Sequence, residues 1–335
     1  DISGGIIMVL PKGKKNCITD VQDVHVGHVT LYEKINDKDT ICTGVTAILP
    51  HGGNIYKEKV RAASEVINGF GKTCGLVEVD ELGIIESPIM LTNTMSVAPV
   101  LQGTLSYMLE QNEKIGDASP SINIVVGECN DGFLNSMRIQ AIQPKHAVQA
   151  IRNATTNPSK EGAVGAGKGM ICYGYKGGIG TSSRIVNVDG KNFTVGCLVL
   201  SNFGKREESL FADWKKADIK TPEGSIMMIV ATDAPFYDRQ LKRLAKRCAA
   251  GLARTGSHYD HGSGDIAIAF STKNKYQHQA GEPTETVTFF RDDHPSMNQF
   301  FLAVTETTEE AIINSLKKAE TTVGKGGFTV ENAPL

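Results

Sequence analysis

The stretch Gly224-Ser225-Ile226-Met227-Met228-Ile229-Val230-Ala231 constrains the chain most. Ile226 to Ala231 are apolar at every position, and the run is short, partly β-branched, and bounded by Pro222 and Gly224 before and Thr232-Asp233-Ala234-Pro235 after. It therefore predicts a buried strand rather than a helix. Ser225 opens that strand directly after a glycine. The charged stretch from Lys215 to Gly224 lacks apolar periodicity and predicts an exposed loop delivering the chain to it. A hydroxyl in this position can attack the preceding carbonyl, because glycine tolerates the strained φ/ψ that an N-to-O acyl shift needs. Hydrolysis of the ester would leave Ser225 as a new N-terminus. Its α-amine, with a pKa of about 7.7–8.0 in free peptides, can take the proton from its own hydroxyl. The same two residues are equally compatible with a plain strand start, so the rest of the chain has to decide.

With 335 residues, 40% of them hydrophobic, the chain can bury a sizeable core. Its formal net charge of -2 gives no electrostatic reason for a nucleic-acid or anionic-membrane partner. No apolar run approaches the roughly 20 residues of a membrane span, and Asp1-Ile2-Ser3-Gly4-Gly5 lacks the character of a secretory signal. The seven cysteines are scattered and have no C-x-x-C spacing, which suggests neither a disulfide framework nor a zinc site. A cytoplasmic location is expected, with a signal removed beforehand left open.

Strands are expected within Ile18–Leu31 and at Thr43–Leu49, Ile89–Leu91, Ile122–Val126, Phe193–Leu200 and Ile266–Phe270. Val60, Ala63, Val66, Ile67 and Phe70 predict a helix over Lys57–Phe70. Further helices are expected after the lead-in Asn93-Thr94-Met95-Ser96 through about Gln111, from Asp233-Ala234-Pro235 to Thr255-Gly256, and after a capping box at Thr307-Thr308-Glu309-Glu310. With no linker or internal repeat, the series favours one layered α+β domain with helices outside packed sheets.

Several strand ends carry chemistry. Glu128 and Asp131 follow one strand, either as site carboxylates or as a solvated turn. Asn202 follows another and offers an amide. Gly262-Ser263-Gly264-Asp265 puts a hydroxyl and a carboxylate where the next begins. Eight of the nineteen residues from Gly162 to Gly180 are glycine, and Gly162 to Gly169 nearly matches a phosphate-binding loop. Gly169 stands where the metal-binding hydroxyl belongs, and strand-like residues follow instead of a helix, which argues against nucleotide binding. His25 and His28 fall on opposite faces of a strand. His258-Tyr259-Asp260-His261 comes with no third ligand in sequence, so no metal is expected.

Taken in order, LTNTMSV (91–97), GECNDGFLN (127–135), CYGYKGGIGTSSR (172–184), SNFG (201–204), GSIMMIVATDAP (224–235) and GLARTGS with GSGD (251–265) resemble the L-aminopeptidase/D-Ala-esterase and β-peptidyl aminopeptidase family of self-processing N-terminal-nucleophile hydrolases. The resemblance spans nearly the whole chain. It implies an αββα sandwich, cleavage between Gly224 and Ser225 into fragments 1–224 and 225–335, and a homotetramer. It makes Ser225 the nucleophile, with Ser263 and Asp265 beside it, Asn202 an oxyanion donor and Glu128 the group that holds the substrate's ammonium. Substrates would be small peptides, amides or esters with a free amine, and no cofactor is implied.

Three departures stand out. Asp265 occupies a position where family members often carry glutamate, no tyrosine lies near Asn130, and the loop at 258–261 is bulkier than the small-residue loop expected there. Two alternatives also remain at this stage. An acyltransferase resembling ornithine acetyltransferase shares the layout but uses threonine as nucleophile, and an unprocessed, non-catalytic binding protein fits the same sequence.

Overall fold

The computed structural model describes residues 2–3, 6–7, 9–215 and 224–335. Residues 216–223, most of the loop expected before Gly224, lie outside the described residues, as do Asp1, Gly4 and Gly5 of the opening stretch. The principal strands are β1 (His25–Lys34), β2 (Thr40–Leu49), β3 (Glu58–Gly69), β4 (Ile84–Ile85), β5 (Ile89–Asn93), β6 (Val125–Cys129), β7 (Gly178–Val188), β8 (Lys191–Asn202), β9 (Ser225–Thr232) and β10 (Gly264–Gln277). The helices are α1 (Leu76–Leu82), α2 (Val97–Gln111), α3 (Pro144–Arg152), α4 (Asp238–Thr255) and α5 (Ser296–Lys318).

One sheet has the order β7-β8-β9-β10-β3-β4 and the other β1-β2-β5-β6. Parallel pairing occurs between β9 and β10 and between β5 and β6, where α4 and α2 supply the crossovers; the other neighbours are antiparallel. Three apolar cores separate four layers. Ile226, Met228 and Val230 face Leu244, Cys248 and Ile312 of α4 and α5. Met227, Ile229 and Ala231 face Leu91 and Val125 across the two sheets. Met90 and Val126 face Val100 and Ala147 of α2 and α3. This αββα order explains why β9 is apolar at every position: a strand covered on both faces has no solvent side to mark. Each large side chain buried there contributes roughly 1.5–3 kcal/mol.

Three expectations need correction. Lys57–Phe70 forms β3 rather than a helix. This strand lies between β10 and β4, and its register jumps so that Asp265 pairs with Asn68 but Ile266 pairs with Val66. Ile67 is the extra residue of a bulge, which breaks the two-residue alternation and leaves an apolar spacing that imitates a helix. Second, Thr307-Thr308-Glu309-Glu310 lies buried in the middle of α5 instead of capping it. Thr307 Oγ1 donates to Ala303 O at 2.8 Å, Glu310 pairs with Arg184 of β7 at 2.6 Å and Glu309 with Arg254 of α4 at 2.6 Å, so the two carboxylates are ion-paired to neighbouring elements rather than capping a helix start. Third, α4 begins at Asp238, after rather than at Asp233-Ala234-Pro235.

Candidate active site

Sheet register assembles the site at the N-terminal end of β9. Ser225 pairs with Asn202 of β8 on one side and with Gly264 of β10 on the other. A hydroxyl, an amide and the backbone between Ser263 and Asp265 thus form one row across three adjacent strands, and Ser225 is buried. By strand alternation Ser225 shares the inter-sheet face with Met227, and Asn202 shares it with Leu200. Gly224 enters the row under tight constraint. A Cβ on it would stand 1.7 Å from the Asn202 carbonyl oxygen. That close backbone approach demands glycine here.

The Asn202 amide is oriented by two backbone groups. Its Oδ1 accepts from the Ile171 N–H at 3.0 Å and its Nδ2 donates to the Asn130 carbonyl at 3.0 Å. A backbone N–H only donates and a carbonyl only accepts, so this pair fixes which end of the amide is nitrogen. Nδ2 has a second N–H with no partner among the described residues, so the oriented amide keeps one donor to offer.

On β10, Ser263 Oγ donates to Asp265 Oδ1 at 2.9 Å, whereas Asp265 Oδ2 is buried without a hydrogen-bond partner among the described residues. Burial pushes the Asp265 carboxyl up to about 6, the Ser263 hydrogen bond pulls it down, and Asp260 pushes it up. The loop ahead of it is gathered by Asn68, whose Nδ2 donates to the carbonyls of Asp260, His261 and Ser263 at 3.0, 3.2 and 2.5 Å. Within this loop His258 Nε2 lies 2.8 Å from Asp260, and Glu208 completes a group of three metal-competent side chains that sequence alone did not reveal. Lys205 Nζ is 3.7 Å from Glu208 and 3.8 Å from Asp260, so both carboxylates already share a cation.

Glu128 lies within β6, buried, rather than in a solvated turn. Its Oε1 accepts from the Lys72 N–H at 2.9 Å and its Oε2 from the Thr94 hydroxyl. Asp131 is also buried and hydrogen-bonded to Asn135 Nδ2 at 3.0 Å. Sequence reading did not single out Cys129, which is buried at the end of β6 with its thiol donating to the Leu200 carbonyl at 3.6 Å. Burial, and after it the charge of Glu128, push that thiol well up. A thiol held protonated is no rival nucleophile. Asn68 and Cys129 carry no local sequence signal, because each acts through residues distant along the chain.

Comparison with known proteins agrees with this geometry. The profile of Peptidase family S58 matches residues 16–330. The chain is 38% identical to the beta-peptidyl aminopeptidase BapA of Sphingosinicella microcystinivorans, over 96% of this chain and 86% of that one. Among solved structures, the PH0078 protein of Pyrococcus horikoshii superposes with a TM-score of 0.90 at 48% identity, covering 98% of this chain and 94% of the other. The L-aminopeptidase D-Ala-esterase/amidase of Ochrobactrum anthropi, described as a variant of the Ntn hydrolase fold, superposes with a TM-score of 0.90 at 32% identity, covering 98% and 94%. The chain thus belongs to Peptidase family S58, the N-terminal-nucleophile serine aminopeptidases, and is a hydrolase.

Proposed function

We propose that this chain cleaves itself between Gly224 and Ser225, and that the freed Ser225 then removes the N-terminal residue of small peptides, amides or esters through an acyl-enzyme. The observation that supports the reading is the row Asn202–Ser225–Gly264, in which Ser225 pairs with Asn202 on one side and with the strand carrying the Ser263–Asp265 pair on the other. In the first step Ser225 Oγ adds to the Gly224 carbonyl and the Gly224–Ser225 C–N bond breaks, which frees the Ser225 α-amine and leaves an ester; water then cleaves the ester, releasing the Gly224 carboxylate and restoring the hydroxyl. In turnover that amine takes the hydroxyl proton as Oγ attacks the substrate carbonyl, the Asn202 N–H holds the oxyanion, and the proton passes to the leaving amine. Water then hydrolyses the acyl-enzyme. Asp265 Oδ2, buried and without a hydrogen-bond partner among the described residues, fits a role beside the new ammonium, and Glu128 is the reader of the substrate's own ammonium. A blocked N-terminus would leave that carboxylate without its charged partner.

A homotetramer of cleaved units and a cytoplasmic location complete the proposal. Resemblance to the family supports the first, and seven free thiols the second. Among the described residues no helix is long and apolar enough to cross a membrane. Intact mass and N-terminal sequencing test the core of the reading: two chains are expected, one beginning at Ser225. An active enzyme consisting only of full-length chain would sink it. Ser225→Ala should fold, remain uncleaved and lose turnover.

A further inference from the structure

Behind Asn202 stands a relay of two amides ending in a buried lysine. Ile171 N–H, which holds Asn202 Oδ1, belongs to the same peptide unit as the Met170 carbonyl. That carbonyl accepts from Lys176 Nζ at 2.7 Å and from the Gly177 N–H at 3.0 Å. Lys176 is wholly buried in the glycine-rich loop, and its ammonium also donates to Gly167 O and Gly177 O, both at 2.9 Å. It makes no hydrogen bond to a carboxylate among the described residues. Burial pulls its pKa down to about 7; the neighbouring Lys168 adds to that, while Cys42, Asp131 and Cys172 oppose it.

Sequestering a lysine against carbonyls alone is expensive, and an apolar side chain would fill the same space more cheaply. The arrangement has a consequence that loop bracing by itself does not require. A cation on the Met170 carbonyl polarises that peptide and makes its N–H a stronger donor to Asn202 Oδ1. Polarisation then continues through the second amide to its free N–H. We propose that Lys176 is a positioning residue that, through the Met170–Ile171 peptide, fixes the Asn202 amide and strengthens its remaining N–H as the donor to the oxyanion. The proposal rests on Asn202 serving as that donor.

Three variants test it: Lys176→Met, which removes donor and charge; Lys176→Gln, which keeps an N–H donor without the charge; and Asn202→Ala. Turnover is expressed per cleaved chain, counted by N-terminal sequencing. For Lys176→Met, kcat should fall about tenfold, a fraction of the 10²–10³ that loss of a whole oxyanion donor costs, with KM within about twofold of wild type. An aminoacyl boronic acid, whose tetrahedral adduct places an oxygen in the hole, should bind about tenfold more weakly, while product inhibition by the free amino acid stays unchanged. Lys176→Gln should lie between Lys176→Met and wild type. The proposal is overturned if kcat stays within twofold of wild type, if kcat, KM and both inhibition constants shift together, or if neither Lys176 variant folds, since Lys176 is then a folding residue. Should Asn202→Ala leave kcat intact, the reading of Asn202 as oxyanion donor fails, separately from any result at position 176.

Discussion

Glu128 and Asp265 are both buried carboxyls, yet their surroundings give them different work. Glu128 has a donor on each oxygen, Lys72 N–H and Thr94 hydroxyl, and these hold it in one pose without a cation. Replacing it with glutamine keeps the shape and removes the charge. Charge-assisted hydrogen bonds contribute roughly 1.5–3 kcal/mol, so kcat/KM for a free-amine substrate should fall about ten- to a hundredfold. Wild type should reject the N-acetylated analogue, and Glu128→Gln should narrow the ratio between the two substrates; equal losses on both would assign Glu128 to fold or chemistry instead. Asp265 instead has an orphan oxygen and a pKa raised to about 6 by burial. A carboxyl raised on folding favours the folded state below its unfolded value of about 3.9, and that contribution is lost as pH rises through about 6. In uncleaved Ser225→Ala, which has no new amine to partner the carboxylate, adding Asp265→Asn should therefore raise Tm more at pH 7.5 than at pH 4. Melting curves of the two proteins at both values check this, and an equal effect at the two would refute it.

At the scale of elements, the junction of β8 and β9 is the critical one. Gly224 packs so closely on the Asn202 carbonyl that even a methyl group must push the strands apart at the row proposed for cleavage. Misplacement by about 1 Å can cost on the order of a hundredfold in rate, and Gly224→Ala should slow self-cleavage by about that factor. A time course of fragment appearance measures it, and processing at the wild-type rate would show that the junction is more compliant than its packing implies. The same junction was the most legible part of the sequence. Strand β9 is an unbroken apolar run with turn residues on both sides, and nothing distant is needed to recognise it. Strand β3 was misread because the bulge at Ile67 hides its alternation. The polar middle of α5 resembled a helix start because its partners Arg184 and Arg254 lie elsewhere in sequence. Site residues followed the same division. Ser225, Asn202 and the Ser263–Asp265 pair stand at strand ends that can be read locally, whereas Lys176 and Asn68 donate to carbonyls that only the folded chain brings to them.

Across the whole molecule, cleavage at Gly224–Ser225 would cut the chain without dividing its fold. Fragment 225–335 supplies β9 and β10 to the middle of the six-stranded sheet, along with α4 and α5, which cover one face of it. Fragment 1–224 supplies the strands on both sides, with β8 pairing to β9 along its full length and β3 pairing to β10. Separation would expose both strand edges and an apolar surface favoured by about 25 cal/mol per Å² when buried. It would also strip Arg184 of Glu306, 2.9 Å away, where both side chains are wholly buried. Breaking such a pair costs about 3–5 kcal/mol because one charge is left uncompensated. The fragments should therefore copurify at a 1:1 ratio and coelute in size exclusion through added salt, which screens exposed charges but reaches buried pairs poorly. In a urea titration monitored by size exclusion and far-UV circular dichroism, release of fragment 225–335 should coincide with loss of secondary structure. Release at a lower urea concentration, with the secondary structure intact, would mean that the two fragments form separate folding units rather than one.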